Sequence, residues 1–463
     1  MSDELRAWAA FDEGVRLQAA GEVEPAIAAF ERTLQLRPDN AASWANLALL
    51  HEQRGDIAAA LAAHERALEL DPDAFEARLN HGALLGQLRR YDEAERAYRH
   101  AIGLRPQAPQ PWSNLGAMLA LVDRDEDALA CCLRALELEP ANAKARLNLS
   151  YLLLRQGRLA EGFLCLEARA GIDEMQVKLD APRWDGADLA GRRLLVVSDA
   201  GHGDLLMMAR YLPLLRRRHP GAVLLYGQPA LGTLLARADG VDAWIDYGAP
   251  LPRAAFDCWT PAMSLPHLHG TTLDDIPATL PYLAPEPARQ AHWRAELERG
   301  RGSGDAALRV GLCWRGNPAH ENNAERSLPG LAVIAPLADV AGVRWFNLQS
   351  GAGADEAPPA GFEFTPLSGP LGDFAETAAI IANLDLVITV DTAIGHLAGA
   401  IGRPVWVLVP AHLPDWRWFK GRSDSPWYPG VLRLFRQRAA GNWGPMMDEV
   451  AQALADRVRE SIA

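Results

Sequence analysis

Residues 38–72 read PDNAASWANLALLHEQRGDIAAALAAHERALELDP, and the proline that opens and closes this stretch recurs as Pro38, Pro72, Pro106 and Pro140, 34 residues apart each time. A fixed period of that length is the signature of a repeat architecture. Laid out on it, Gly14, Ala48, Gly82 and Gly116 share one column, where a small residue lets two helices touch. Ala26, Ala60, Ala94 and Ala128 share a second, and Phe30, His64, Tyr98 and Cys132 fall together one turn later. Trp44 and Trp112 open the first helix of their units. Each unit is a helix pair that cannot bury its own apolar face, so stacking builds the core and leaves a groove.

This layout closely resembles tetratricopeptide repeats over residues 7–140. A degraded fifth copy begins near Ala143 and runs into Phe163 and Leu166, which read as a cap, so the expected all-α solenoid spans residues 1–175. Asn46, Asn80, Asn114 and Asn148 recur at one repeat position on the first helices. Amides in such a register could clamp the backbone of an extended peptide. The alternative is that they satisfy backbone groups of loops or neighbouring helices.

Past Ala181 the texture changes to short apolar runs alternating with helical patterns, the sign of βαβ units and a parallel sheet. Arg193–Ser198, Ala222–Tyr226 and Ala243–Asp246 read as strands of a first Rossmann-like lobe, residues 183–300, which a proline-rich stretch near 251–285 ends. A glycine-rich segment, Gly300–Asp305, reads as a hinge. Leu308–Trp314, Val343–Leu348, Leu384–Val390 and Val405–Val409 then read as strands of a second lobe, residues 305–463, closed by an amphipathic helix carrying Val450, Leu454 and Val458. Two such lobes place a ligand in the cleft outside the carboxyl ends of their strands.

Three motifs could carry chemistry there. Gly201-His202-Gly203-Asp204 follows the first strand and opens a helix. Its glycines allow close approach of a ligand, and Asp204 is placed either to act as a general base or to cap the helix. Asp391-Thr392-Ala393-Ile394-Gly395-His396 follows the strand LDLVITV. Its successive N–H groups at a positive helix terminus, with the Thr392 hydroxyl and His396, suit a diphosphate. Arg315, Asn317 and Arg326, behind the strand ending at Trp314, supply further donors for the same ligand, and Arg326 can neutralise a phosphate. Trp416 and Trp427 read as packing.

These motifs, in this order behind the repeats, resemble bacterial TPR-linked glycosyltransferases of the heptosyltransferase-like type, over roughly residues 183–443. The resemblance implies a GT-B-type pair of lobes. It implies Asp204 as the base that deprotonates an acceptor hydroxyl, and Asp391–Leu397 as the D-T-x-x-x-H-L donor motif. Such enzymes place a lysine on the donor phosphates, yet Lys420 is the sole lysine of the second lobe. Arg326 or Arg315 is therefore expected to do that work.

A net charge of −13 argues against a nucleic-acid partner, which needs a basic face. The five cysteines show no metal or disulfide spacing, and the D-x-D strings lie at repeat turns, so neither metal nor cofactor is expected. Without an apolar leader at Met1–Phe11 or a run of about 18 apolar residues, the chain is expected to be cytoplasmic with no membrane span. The expected activity is an inverting transfer from a nucleotide-sugar donor, with the repeats recruiting a protein acceptor. Two alternatives remain, a non-catalytic scaffold with a degenerate transferase domain and an enzyme acting on a glycan or lipid-linked acceptor.

Overall fold

The computed structural model describes residues 2–299, 307–367 and 371–462, so the Gly300–Asp305 hinge lies outside the described residues. The chain divides into two compact units, Met1–Leu152 and Leu153–Ala463.

The first unit is an all-helical repeat solenoid. Its pairs are α1 (Asp3–Ala19) with α2 (Val23–Leu36), α3 (Ala41–Arg54) with α4 (Ile57–Leu70), α5 (Phe75–Gln87) with α6 (Tyr91–Leu104), and α7 (Pro109–Leu121) with α8 (Asp125–Leu138); α9 (Ala143–Arg155) follows. Local chemistry sets the boundaries. Asn40 and Asp56 cap α3 and α4 by accepting from the N–H groups of Ser43 and Ala59, and Gly55 ends α3 at φ 83°, where a Cβ would be strained. The glycine column has the expected reason. A Cβ on Gly14 or Gly82 would stand 2.9 Å from the ring of Phe30 or Tyr98, and one on Gly116 would stand 2.8 Å from the Cys132 sulfur.

The residue opening each first helix alternates between tryptophan and arginine for a shared purpose. The indole N–H of Trp44 and Trp112 donates to the carbonyls of Pro38 and Pro106 at 3.1 Å, and Arg78 and Arg146 donate to those of Pro72 and Pro140. Each inter-repeat turn is thus tied to the helix that follows it.

The second unit holds two parallel sheets. The first has the order β3-β2-β1-β4, from β1 (Arg193–Val197), β2 (Ala222–Gly227), β3 (Ala243–Asp246) and β4 (Cys258–Pro261). The second has the order β10-β9-β8-β5-β6-β7, from β5 (Leu308–Cys313), β6 (Val343–Asn347), β7 (Phe364–Thr365), β8 (Leu386–Val390), β9 (Val405–Val409) and β10 (Leu432–Arg436). All pairings are parallel, which gives two Rossmann-like lobes. The proline-rich stretch expected to end the first lobe contains β4. That strand is buried along its length, pairs with β1 on one side and on the other meets the chain only where Trp259 bridges Arg183, so Pro261 costs no ladder bond on that edge.

Both lobes lock their central strand pair alike. Arg193 of β1 makes a bidentate pair with Asp257 before β4, and Arg309 of β5 makes one with Asp385 before β8. These pairs fix the strands between which each sheet's strand order switches, the point where such sheets bind ligands.

The compact division falls at Leu152 rather than at 175, and the segment read as a cap packs within the second unit. Phe163, fully buried, meets Trp416 edge-on at 5.5 Å and Trp427 at 6.4 Å. A cap was expected from apolar spacing alone, which says that a face is buried without saying against what.

Candidate functional site

The loops that leave β1, β5 and β8 at their carboxyl ends carry the three sequence motifs, and the structure brings the first and last of them into contact. Helix His202–Met208 of the first lobe packs on helix Ala393–Ala400 of the second. Gly203 makes this approach possible. A Cβ there would lie 2.9 Å from the His396 ring and 3.3 Å from the Ala393 Cα. The two motifs already meet in this form of the chain.

Asp204 serves as a cap and as something more. One oxygen, Oδ2, accepts from the Gly201 N–H at 2.8 Å, the reciprocal half of a capping box. The other, Oδ1, accepts from Nη2 of Arg417, which comes from the second lobe. Arg417 is 7% exposed, and its Nη1 donates to both oxygens of Asp415 at 2.9 and 2.8 Å. Its guanidinium lies 4.2 Å from the Trp416 ring, and its Nε is buried without a partner. Burial opposes its charge, but Asp415 and Asp204 outweigh that and hold it more firmly protonated than a free arginine.

Asp391, at the end of β8, is buried. That burial, together with the nearby Asp415 carboxylate, raises its pKa above the ordinary carboxylate range. Asp415 shifts the other way. Burial would raise it, but the charge and hydrogen bonds of Arg417 prevail. Three aspartates, Asp204, Asp391 and Asp415, thus gather around Arg417, with Arg326 close enough to act on Asp391.

Thr392 caps helix Ala393–Ala400, its hydroxyl accepting from the Ile394 N–H at 3.3 Å and meeting Thr389 at 3.0 Å. Thr392, Ala393 and Ile394 stay partly exposed at this terminus, while Gly395 is buried. His396 departs from expectation. It is 5% exposed, stacked on Trp418 at 5.2 Å with its Nδ1 2.8 Å from the Tyr428 hydroxyl. Burial and the adjacent Arg417 push its pKa down to about 3, so it is a neutral wedge between the lobes and brings no charge to a phosphate.

The two arginines of the third motif part company. Arg315 is committed to Glu356, which accepts from its Nε at 3.2 Å and its Nη2 at 3.1 Å, and this pair ties down the loop after β6. Arg326 lies over Gly316, where a Cβ would come within 2.8 Å of its Nη2, and its Nε is buried without a partner. Asn317 is exposed and accepts from the Ala319 N–H at 3.0 Å, a local turn. His202 packs against Phe374 of the second lobe at 5.2 Å, and burial lowers its pKa.

The candidate residues of the three motifs do not include Arg417 and Asp415, which flank Trp416 in the run Asp415-Trp416-Arg417-Trp418. A charged pair inside an aromatic run was the available signal. The run's tryptophans pack as expected, Trp416 at 5% and Trp427 at 0% exposure.

In the solenoid the asparagine column stands on α3, α5, α7 and α9, each member partly exposed. Asn46 donates to the Ala42 carbonyl of its own helix, Asn114 accepts from Lys144, and Asn148 reaches Ser113 at 3.4 Å. Local bonds thus hold three of the four side chains.

A helical-repeat solenoid followed by two Rossmann-like lobes is the architecture of a TPR-linked, glycosyltransferase-like protein. Residues 11–136 match the tetratricopeptide repeat family in three overlapping segments, and residues 131–162 match a further repeat of that kind. Residues 352–414, which include Asp391–Leu397, match glycosyltransferase family 9 (heptosyltransferase). The chain thus carries tetratricopeptide repeats and, toward its C-terminus, a segment similar to glycosyltransferase family 9. It is 33% identical over 331 residues to protein FlbA of Caulobacter vibrioides, an alignment covering 66% of this chain and 54% of FlbA. The chain thus spans about half the length of that curated relative. Among solved structures it is similar to MamA of Desulfovibrio magneticus RS-1 (18% identity, 38% of this chain and 98% of that one, TM-score 0.33). It is also similar to PilF of Pseudomonas aeruginosa (17% identity, 47% of this chain and 87% of that one, TM-score 0.36). No helix among the described residues is long and apolar enough to cross a membrane.

Proposed function

We propose that the second unit transfers a sugar, with inversion, from a nucleotide-sugar donor to an acceptor hydroxyl, with Asp204 as the general base. The observation that carries this reading is the meeting of the Gly201–Asp204 turn with the terminus of helix Ala393–Ala400, which joins the acceptor-side and donor-side motifs. The donor diphosphate is assigned to the N–H groups at Thr392–Gly395. Arg326 is assigned as its counter-charge, since it has a spare buried Nε and Arg315 is held by Glu356.

The reaction asks two things of these residues. The acceptor oxygen attacks the anomeric carbon as its proton passes to Asp204. The bond from that carbon to the phosphate oxygen breaks, and its electron pair leaves on the nucleoside diphosphate. The helix terminus and arginine stabilise the departing charge without calling on a metal. The solenoid is assigned to a cytoplasmic protein acceptor, held through Asn46, Asn80, Asn114 and Asn148.

The test is release of nucleoside diphosphate from UDP-, GDP-, ADP- and TDP-sugars, and of nucleotide from CMP-sugars, by the full chain with a peptide acceptor library. Asp204→Asn keeps the shape of the cap but cannot accept a proton, so the rate should fall by about 10²–10⁴-fold. Transfer by this variant at the wild-type rate would remove Asp204 as the base. No turnover and no binding with any donor would favour a scaffold.

A further inference from the structure

We infer that Arg417 is a positioning residue that exchanges Asp204 for the donor's diphosphate, so that the base is freed only when the donor is bound. The inference rests on the transferase reading above and adds an order to it, donor before acceptor.

The geometry of one guanidinium carries it. Arg417 is anchored through Nη1, which holds both oxygens of Asp415 on its own lobe. Its other edge, formed by Nε and Nη2, faces the lobe interface half used. Nη2 is on Asp204 Oδ1, and Nε is buried without a partner in a side chain only 8% exposed. An edge of two parallel N–H groups is matched to a pair of oxygens, as a phosphate offers. Asp204 meets that edge with Oδ1 alone, its Oδ2 being turned to the Gly201 N–H.

The pair also matters for the base. With Nη2 on Oδ1 and the Gly201 N–H on Oδ2, both oxygens of Asp204 are engaged. Oδ1 is open to an acceptor hydroxyl once Nη2 leaves it. A diphosphate at the terminus of helix Ala393–Ala400 lies beside Gly203 and so next to Asp204. Its charge can draw Nη2 across while Nη1 stays on Asp415, so the swap needs no movement of the loop. The proton of the acceptor then goes to Asp204, and Arg417 faces the charge that grows on the leaving diphosphate.

Calorimetry with UDP, GDP, ADP and dTDP on the full chain tests this, using Arg417→Gln, Arg417→Lys, Asp204→Asn and Arg326→Ala. We expect Arg417→Gln to weaken the nucleoside diphosphate that wild type binds by about tenfold or more. Arg417→Lys should fall between, since it keeps the charge but loses the fork. Asp204→Asn should bind about threefold or more tightly, because it leaves Arg417 short of a partner that the diphosphate replaces. This opposite sign separates the exchange from a plain structural brace, under which both variants would lose affinity. Wild-type affinity in Arg417→Gln with a loss in Arg326→Ala would overturn the exchange and leave the transferase reading standing. Binding of none of the four diphosphates by wild type would overturn both. Should Arg417→Gln fail to fold, Arg417→Lys and Asp204→Asn decide the matter by the same signs.

Discussion

Replacing His81 with leucine should make the junction between the second and third repeats resist acid. The 34-residue columns motivate the change. His81 stands where the second, fourth and fifth repeats have Leu47, Leu115 and Leu149, and His64 stands where others have Phe30, Tyr98 and Cys132. The two rings lie 5.7 Å apart. His64 is fully buried, with its Nε2 2.8 Å from Glu52 and its Nδ1 without a partner, and the Nε2 of His81 is also buried and unpartnered. Burial first, then the nearby charges of His64, Arg78 and Arg90, push the pKa of His81 from 6.5 down to about 4, against a weaker pull from Glu93. Burial lowers His64 as well, although Glu52 opposes it.

The folded chain therefore binds fewer protons than the unfolded one between these values. The stability that a neutral His81 permits is present above pH 6.5 and is lost as pH falls toward 4. At pH 5 the shift corresponds to about 2 kcal/mol, and water reaching the half-buried ring cuts this to roughly 1 kcal/mol, about fivefold in the opening equilibrium. Hydrogen exchange of peptides from residues 57–87 in the full chain, corrected for intrinsic rates, should show that loss in wild type between pH 7.5 and 5. In His81→Leu the loss should be smaller, leaving the part that buried His64 contributes. An equal loss of protection in both proteins would refute the reasoning.

Three further outcomes are expected. Gly399→Ala puts a Cβ into the ring of Tyr428, which bonds His396 and lies 4.8 Å from the buried Arg210 guanidinium; thermal unfolding should show a loss of about 1–3 kcal/mol in the second unit. Gly203→Ala should weaken the contact between the two motif helices, since its Cβ meets His396 and the backbone of Ala393. Faster proteolysis of the second unit, with the solenoid's exchange unchanged, would register it. Asn80→Ala with Asn114→Ala should leave the melting temperature within about 1 °C, because partly exposed side chains are removed, while lowering capture of acceptor peptides on an array. Unchanged capture would count against the clamp.

The sequence by itself determined the elements that repeat or run as uniform apolar strands. Four prolines 34 residues apart, with the small-residue columns between them, were enough for the solenoid, because each repeat contacts only its neighbours and its rules are local. Strands β1, β2, β3, β5, β6, β8 and β9 were legible for a similar reason, being short apolar runs bounded by turns. Strands β4, β7 and β10 were not legible. A proline at its end disguised the first, two residues make no pattern in the second, and arginines interrupt the third. Only the tertiary structure decided which polar groups share a site. Asp204 and Arg417 are 213 residues apart in the chain and touch across two lobes, Arg315 is committed to Glu356, and His396 loses its charge to burial. Periodicity reports which face of an element is buried, while charge state and partner choice depend on what lies across the interface, and that is set by packing between segments remote in the chain.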